Sequence, residues 1–235
     1  TKLVYLEVPD LSGALPPKLF DLTQLTHLEI AWCSALIDLS PLAGLPSLTS
    51  LRLSGCGALT ELKGLRDLPK LTSLNLSSCE VLRELSALQE FTQLTSLNLY
   101  GGVALSDLSS LRGLPNLSSL NLGGCPELSD PAFWGPLEEL PALRELDGSF
   151  PGTFTSRLFA RNAAASGDWK FTRAQLPTWM KNAEARPDYP GLLAAIGLAA
   201  ALNPEGDATL AQLIELAAHH EADIAEQEHY QLHGY

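Results

Sequence analysis

"LTSLRLSGC", residues 48–56, returns as "LTSLNLSSC" at 71–79 and as "LSSLNLGGC" at 117–125. The register behind these copies does not slip. Leu25, Leu48, Leu71, Leu94 and Leu117 stand 23 residues apart, as do Leu28, Leu51, Leu74, Leu97 and Leu120, and Ile30, Leu53, Leu76, Leu99 and Leu122. Further apolar columns run through Leu36/Leu59/Leu82/Leu105/Leu128, Leu39/Leu62/Leu85/Leu108 and Leu42/Leu65/Leu88/Leu111. A unit of this size cannot bury its own apolar face, so neighbouring units must stack. The LxL alternation predicts a short strand in each unit. The 12-residue return, interrupted by Pro46, Pro69 and Pro115, leaves no room for a long α-helix.

The pattern extends at both ends. A worn copy opens the chain at Leu3, Leu6, Val8 and Leu11, and a seventh, "LRELDGSF", starts at Leu143 after a three-residue insertion. The phrase LxxLxLxxCxxL, seen as "LTSLRLSGCGAL" (48–59), resembles the leucine-rich repeat family. Trailing halves such as "LIDLSPLAGLPS" (36–47) are similar to the short bacterial repeats of internalin-type proteins, and "LSGALPPKLFDL" (11–22) is closer to the plant receptor-type phrase. The resemblance implies an α/β repeat: a right-handed solenoid over residues 1–150, about seven repeats, with a parallel sheet on its concave side and turns or 3₁₀ segments on its convex side. Residues 151–235 are expected to form an α-helical C-terminal cap.

All four cysteines, Cys33, Cys56, Cys79 and Cys125, occupy the ninth place of the motif, and Gly102 takes that place in the remaining copy. The family places an inward Asn or Cys there, bonded to the backbone of the turn after the strand, and the resemblance implies the same structural ladder here. Neighbouring strands about 4.8 Å apart bring such thiols close but aim them the same way, which is poor disulfide geometry. Zinc ligands need converging CxxC or CxH spacing, which one ridge of 23-residue steps does not supply. Unpaired buried thiols favour a cytoplasmic protein, although burial would also protect them in a secreted effector.

The variable places beside each strand face out of the sheet. The third holds Tyr5, His27, Ser50, Ser73, Ser96, Ser119 and Glu145. The fifth holds Glu7, Glu29, Arg52, Asn75, Asn98, Asn121 and Asp147. At the seventh and eighth stand Ala31 with Trp32, then small residues, then Tyr100, then Gly123 with Gly124. Exposed Trp, Tyr and Arg dominate binding energy at interfaces. Tyr5, Glu7, His27, Glu29, Trp32, Arg52, Asn75, Asn98, Tyr100 and Asn121 are therefore the candidate contact residues for a protein or peptide ligand. Two competing readings remain: the Ser and Asn columns as soluble filler whose side chains bond laterally, and Trp32 as a cover folded over the edge of the first repeats.

Past Phe150 and Pro151 the period stops. Helical pieces are expected at about 154–165, 172–185, 190–202 and 207–230, the last with an apolar stripe through Leu210, Leu213, Ile214, Ala217, Ala218 and Ile224. His219, His220, Asp223, Glu226, His229 and His233 recur at helical spacing and read as a solvated polar face. No HExxH accompanies them, and the Glu-x-x-His of "EQEH" occurs once where a di-metal bundle needs it twice. "RLFARNAAASGDWKFTRAQLPTWMK" mixes bases with aromatics, a combination that can stack on single-stranded nucleic acid. Packing of Trp169 and Trp179 on the last repeat is the preferred reading.

The net charge of −12 argues against nucleic acid or an anionic membrane as partner. It divides as −8 over residues 1–150, +4 over 151–186 and −8 over 187–235. No run of 18 uncharged apolar residues suggests a membrane span. There is no GxSxG, no GxxxxGK[ST] and no GxGxxG after a strand. The chain opens on Thr1, has its one methionine at Met180 and starts a strand phrase at once, so it is expected to be part of a longer polypeptide. The resulting expectation is a non-catalytic recognition module without cofactor or metal, binding a protein on the concave face. The alternative is the sensor or substrate-recognition arm of a larger effector, ligase or signalling ATPase.

Overall fold

Each LxL phrase becomes a short strand because its two leucines turn inward and the residue between them turns out. The computed structural model describes residues 4–9, 15, 19, 21–150, 158 and 162. Seven strands follow in chain order: β1 (Tyr5–Pro9), β2 (His27–Ala31), β3 (Ser50–Arg52), β4 (Ser73–Asn75), β5 (Ser96–Asn98), β6 (Ser119–Asn121) and β7 (Glu145–Asp147). They form one sheet in the order β1 to β7, every neighbouring pair parallel. Leu28, Leu51, Leu74, Leu97, Leu120 and Leu146 are partners across successive strands. The sequence period is therefore the register of the sheet. This is a leucine-rich-repeat solenoid.

Parallel neighbours need a crossover between them. Here it is a tight return through 3₁₀ segments at Ser40–Gly44, Lys63–Leu65, Ser86–Glu90 and Ser109–Gly113. Two returns are opened by aspartates: the Ser40 N–H donates to Asp38 Oδ1 at 2.9 Å and the Ser109 N–H to Asp107 Oδ1 at 2.7 Å. The Ser40 hydroxyl, followed by its backbone N–H, holds the Asp38 carboxyl below the usual carboxylate range. The columns anticipated as core are buried throughout, with Leu25, Leu48, Leu53, Leu65, Leu94 and Leu117 fully inaccessible.

The three-residue insertion is absorbed between β6 and β7 by 3₁₀ turns at Pro126–Ser129 and Pro131–Phe133 and a single α-helical turn, α1 (Gly135–Glu138). It brings Trp134 into the core, where its indole N–H donates to the Leu128 carbonyl at 2.9 Å. Trp134 thus fills the place that Leu39, Leu62, Leu85 and Leu108 hold in earlier repeats. Leu137, Leu140 and Leu143 resume the columns behind it, all buried.

The chain divides into two units, 1–149 and 150–235. In the second, Leu158 and Asn162 are helical and buried. The remainder of the four expected C-terminal helices, with the histidine-rich face and the basic aromatic stretch, lies outside the described residues.

Candidate recognition surface

The outward row of the sheet begins with charge. Glu7, Glu29 and Arg52 are partners in register across β1, β2 and β3. Arg52 Nε lies 3.5 Å from Glu29 Oε1, so two candidate contact residues pair with each other, an exposed pairing worth at most about 1 kcal/mol. Beside them, Thr26 Oγ1 donates to the Val4 carbonyl at 2.9 Å and also meets His27 Nδ1 at 2.9 Å. Tyr5 is placed by its backbone in β1.

Further along, the asparagine column has a conformational task. Asn75 Oδ1 accepts from the Ser77 N–H, Asn98 Oδ1 from the Tyr100 N–H and Asn121 Oδ1 from the Gly123 N–H, each at 2.9 Å. Each amide caps its own strand two residues on, which competes with continuing the ladder. The lateral bonding expected of this column is instead a bond along the chain. Only at the end does it reach sideways, where Asn121 Nδ2 donates to Asp147 Oδ2 at 3.4 Å.

Behind each cap the backbone turns left-handed at the eighth motif place. Trp32, Gly55, Ser78, Gly101 and Gly124 have φ of 60, 70, 59, 71 and 69°. Their N–H groups reach the next repeat: Trp32 to Ser54 O at 2.7 Å, Gly55 to Ser77 O at 2.8 Å, Ser78 to Tyr100 O at 2.6 Å and Gly101 to Gly123 O at 2.7 Å. The exit turns are thus hydrogen-bonded to one another beyond the sheet edge. Glycine is at home in this conformation and tryptophan is not.

Trp32 and Tyr100 belong to these turns, since β2 ends at Ala31 and β5 at Asn98. Trp32 is 68% exposed and Tyr100 53%. Each ring leans over glycine of the following repeat: a Cβ on Gly55 would run into the Trp32 indole, and one on Gly123 would lie 3.0 Å from Tyr100 Cδ2. Trp32 crosses to the next repeat, as a cover would, yet most of its surface stays in solvent.

The cysteines line the inner wall. All four are buried and no disulfide joins them. The thiols of Cys33, Cys79 and Cys125 donate to carbonyls at or just past strand ends, and the shorter contacts reach the preceding repeat: Cys79 Sγ to Leu53 O at 3.0 Å and Cys125 Sγ to Leu99 O at 3.3 Å. Cys33 Sγ reaches its own strand end at Ala31 O, 3.7 Å away. Leu53 and Leu99 stand just past the ends of β3 and β5, at the start of the turn after the strand, and Cys125 Sγ also reaches Gly123 O in its own turn at 3.8 Å. A hydrogen bond with Cys79, then burial, keeps the Cys56 thiol well above its ordinary range. Burial pushes the Cys125 thiol up as well. At Gly102 the ladder is closely packed: a Cβ there would stand 3.2 Å from Leu99 O and 3.6 Å from Cys125 Sγ. Among the described residues no three His, Cys, Asp or Glu side chains gather as a metal-holding group, and no helix is long and apolar enough to cross a membrane.

One column escaped the sequence reading. At the second motif place, Thr49 Oγ1 donates to Thr26 O, Thr72 to Thr49 O, Thr95 to Thr72 O and Ser118 to Thr95 O, at 3.0–3.1 Å. With Thr26 on Val4 O this makes a hydroxyl staircase across the sheet entrance. Its signal was present as Thr or Ser at the same place in five successive copies.

Comparison with known proteins agrees with this geometry. Residues 46–90 match the family model described as Leucine Rich repeats (2 copies). The search of curated proteins returns no match. A leucine-rich-repeat protein of Leptospira interrogans is similar in structure at a TM-score of 0.53 and 18% identity, over 63% of this chain and 40% of that one. Internalin C2 of Listeria monocytogenes is 28% identical at a TM-score of 0.49, over 63% of this chain and 64% of that one. The chain thus spans less than two thirds of either protein. Leucine-rich-repeat domains generally mediate contacts between proteins and are typically non-catalytic.

Proposed function

We propose that this chain is a non-catalytic recognition module that docks a protein or peptide against the outward face of its parallel sheet. The observation that carries the reading is the pre-set state of that face. Asn75, Asn98 and Asn121 are tied to backbone N–H groups at 2.9 Å, and Arg52 is held beside Glu29. Side chains already ordered lose little entropy on binding, which raises affinity for a given contact area. Glu7, Glu29 and Arg52 supply charge at one end of the face, His27 and Tyr5 stand on the same strands, and the Ser and Asn columns supply neutral hydrogen-bonding groups in the middle. Trp32 and Tyr100 form its rim.

The test is an unbiased pull-down with the full chain, read by mass spectrometry, against a triple variant carrying His27→Ala, Arg52→Glu and Asn98→Ala. A protein captured by the wild type and lost with the variant supports the reading. Equal capture by both places recognition elsewhere. The second reading, a recognition arm of a larger effector, ligase or signalling ATPase, uses the same surface and is tested by whether the complete open reading frame encodes a catalytic domain.

A further inference from the structure

The exposed apolar side chains of the described residues are not scattered. Among the described residues seven large ones are exposed, and five of them, Trp32, Ile37, Val81, Tyr100 and Val103, lie in the loops that leave the strands. Those loops are stacked by the backbone bonds of the exit turns and, further out, by Ala104 N to Glu80 O at 3.1 Å and Arg83 N to Thr60 O at 3.2 Å. The flank is therefore an ordered surface. The same loops, 31–39, 54–62, 77–85 and 100–108, carry five acids, Asp38, Glu61, Glu80, Glu84 and Asp107, against one base, Arg83, with Glu61 paired to Lys63 at 2.6 Å just beyond its loop. Trp32 holds a left-handed backbone that its column otherwise gives to Gly or Ser. A bulky side chain kept in that conformation and still mostly in solvent is a cost with little return in burial.

We infer that this exit-loop flank is a second docking surface, and that its occupant is a protein segment bearing Arg or Lys beside apolar side chains. The inference rests on the chain being a recognition module and not on use of the sheet face. Charge selects the occupant: a net acidic surface repels acidic segments and favours basic ones. The aromatics select it too, because the face of an exposed Trp or Tyr attracts a guanidinium or ammonium group, while Val81 and Val103 offer aliphatic contact between and beside the rings. Trp32 and Tyr100 stand three repeats apart, about 14 Å at strand spacing. An extended segment covers that span with about four residues, so its two cationic anchors would be separated by roughly that number.

The experiment is panning of a phage-displayed random dodecapeptide library on the full chain, followed by fluorescence anisotropy of the enriched peptides with labels attached. Expected are peptides of net positive charge with Arg or Lys about four residues apart among apolar residues. Their affinity should fall at least about tenfold with Trp32→Ala, with Tyr100→Ala and with the double variant Val81→Ser/Val103→Ser. Circular dichroism melts check that each variant is folded. Charge reversal by Glu80→Lys/Glu84→Lys should weaken binding as well and needs no loss of packing. The inference is overturned if no peptide is enriched, if those enriched are acidic or neutral, or if phosphatidylcholine vesicles are bound instead through Trp32. It is also overturned if enriched peptides are lost with Arg52→Glu and Asn98→Ala while the flank variants bind normally, an outcome that leaves the sheet-face reading standing.

Discussion

The indole of Trp32 occupies the space that a side chain on Gly55, one repeat further on, would need. Gly55 is also left-handed, at φ 70°. Two independent reasons thus converge on glycine at one position, and both concern the contact between consecutive repeats.

Gly55→Ala is therefore expected to destabilise the chain by at least about 1–2 kcal/mol, the cost of an L side chain in this backbone region, with displacement of Trp32 in addition. Gly57→Ala is the control, because nothing stands within 4 Å of a Cβ there; it should stay within about 0.5 kcal/mol of wild type. Urea denaturation of the two variants side by side decides the matter. Equal midpoints would dismiss the packing of Trp32 on its neighbour.

Ser78 occupies the same column at φ 59°, where Gly55, Gly101 and Gly124 are its counterparts. Ser78→Gly should stabilise the protein by about 0.5–1 kcal/mol: relief of the left-handed strain outweighs the extra freedom glycine gives the unfolded chain. A melting temperature raised by a few degrees is the expected readout. A lowered one would mean that the serine side chain contributes more than its backbone costs.

Leu74 lies in the middle of the stack, buried and in register with Leu51 and Leu97. Leu74→Ala should cost roughly 2–5 kcal/mol, because neighbours on both sides are held by their own repeats and the cavity cannot close. An unchanged melting curve would refute the assignment of this column to the core.

The repeat, the core and the strand register were legible because they are one signal: a 23-residue period places Leu28, Leu51 and Leu74 side by side, and burial follows. The left-handed column was harder to read. Gly55, Gly101 and Gly124 hint at it, but Trp32 and Ser78 conceal it, since sequence gives no sign that a tryptophan will accept such a backbone. Trp134 was hidden for a different reason. The three-residue insertion breaks the register just where it replaces a leucine, so no column pointed to it. The asparagines were visible as a column but not as caps, because Asn at a strand end serves equally for binding and for bonding its own backbone.

The hydroxyl staircase makes a quantitative claim. Thr72 Oγ1 donates to Thr49 O at 3.1 Å in a partly buried position. Thr72→Val keeps the shape and removes the donor, and the Thr49 carbonyl retains the backbone N–H groups of Thr72 and Ser73. No acceptor is left orphaned, so the cost should be only the net value of one hydrogen bond, about 0.5–1.5 kcal/mol. A loss of several kcal/mol in urea denaturation would show the staircase acting as one cooperative unit.

The thiol ladder predicts how stability depends on pH. Burial holds Cys125 above its ordinary range in the folded chain, whereas in the unfolded chain it ionises near the reference value of about 8.5; the hydrogen bond that raises Cys56 lowers its partner Cys79, so that pair acts in opposite directions. A group whose folded pKa is raised lends stability that is fully present below the unfolded pKa and is lost as pH rises beyond it. Above about pH 8.5 the unfolded state sheds the Cys125 proton that the folded state keeps, and this thiol draws stability down by up to about 1.4 kcal/mol per pH unit. Denaturation midpoints measured from pH 7 to 9.5 should be level as far as Cys125 is concerned up to about 8 and fall thereafter. The fall should be shallower in Cys125→Ala, which loses packing at every pH but no longer titrates at that position. A Cys125→Ala profile parallel to wild type across the whole range would mean that Cys125 ionises as readily in the folded wall as in the open chain, and its burial would then have to be abandoned.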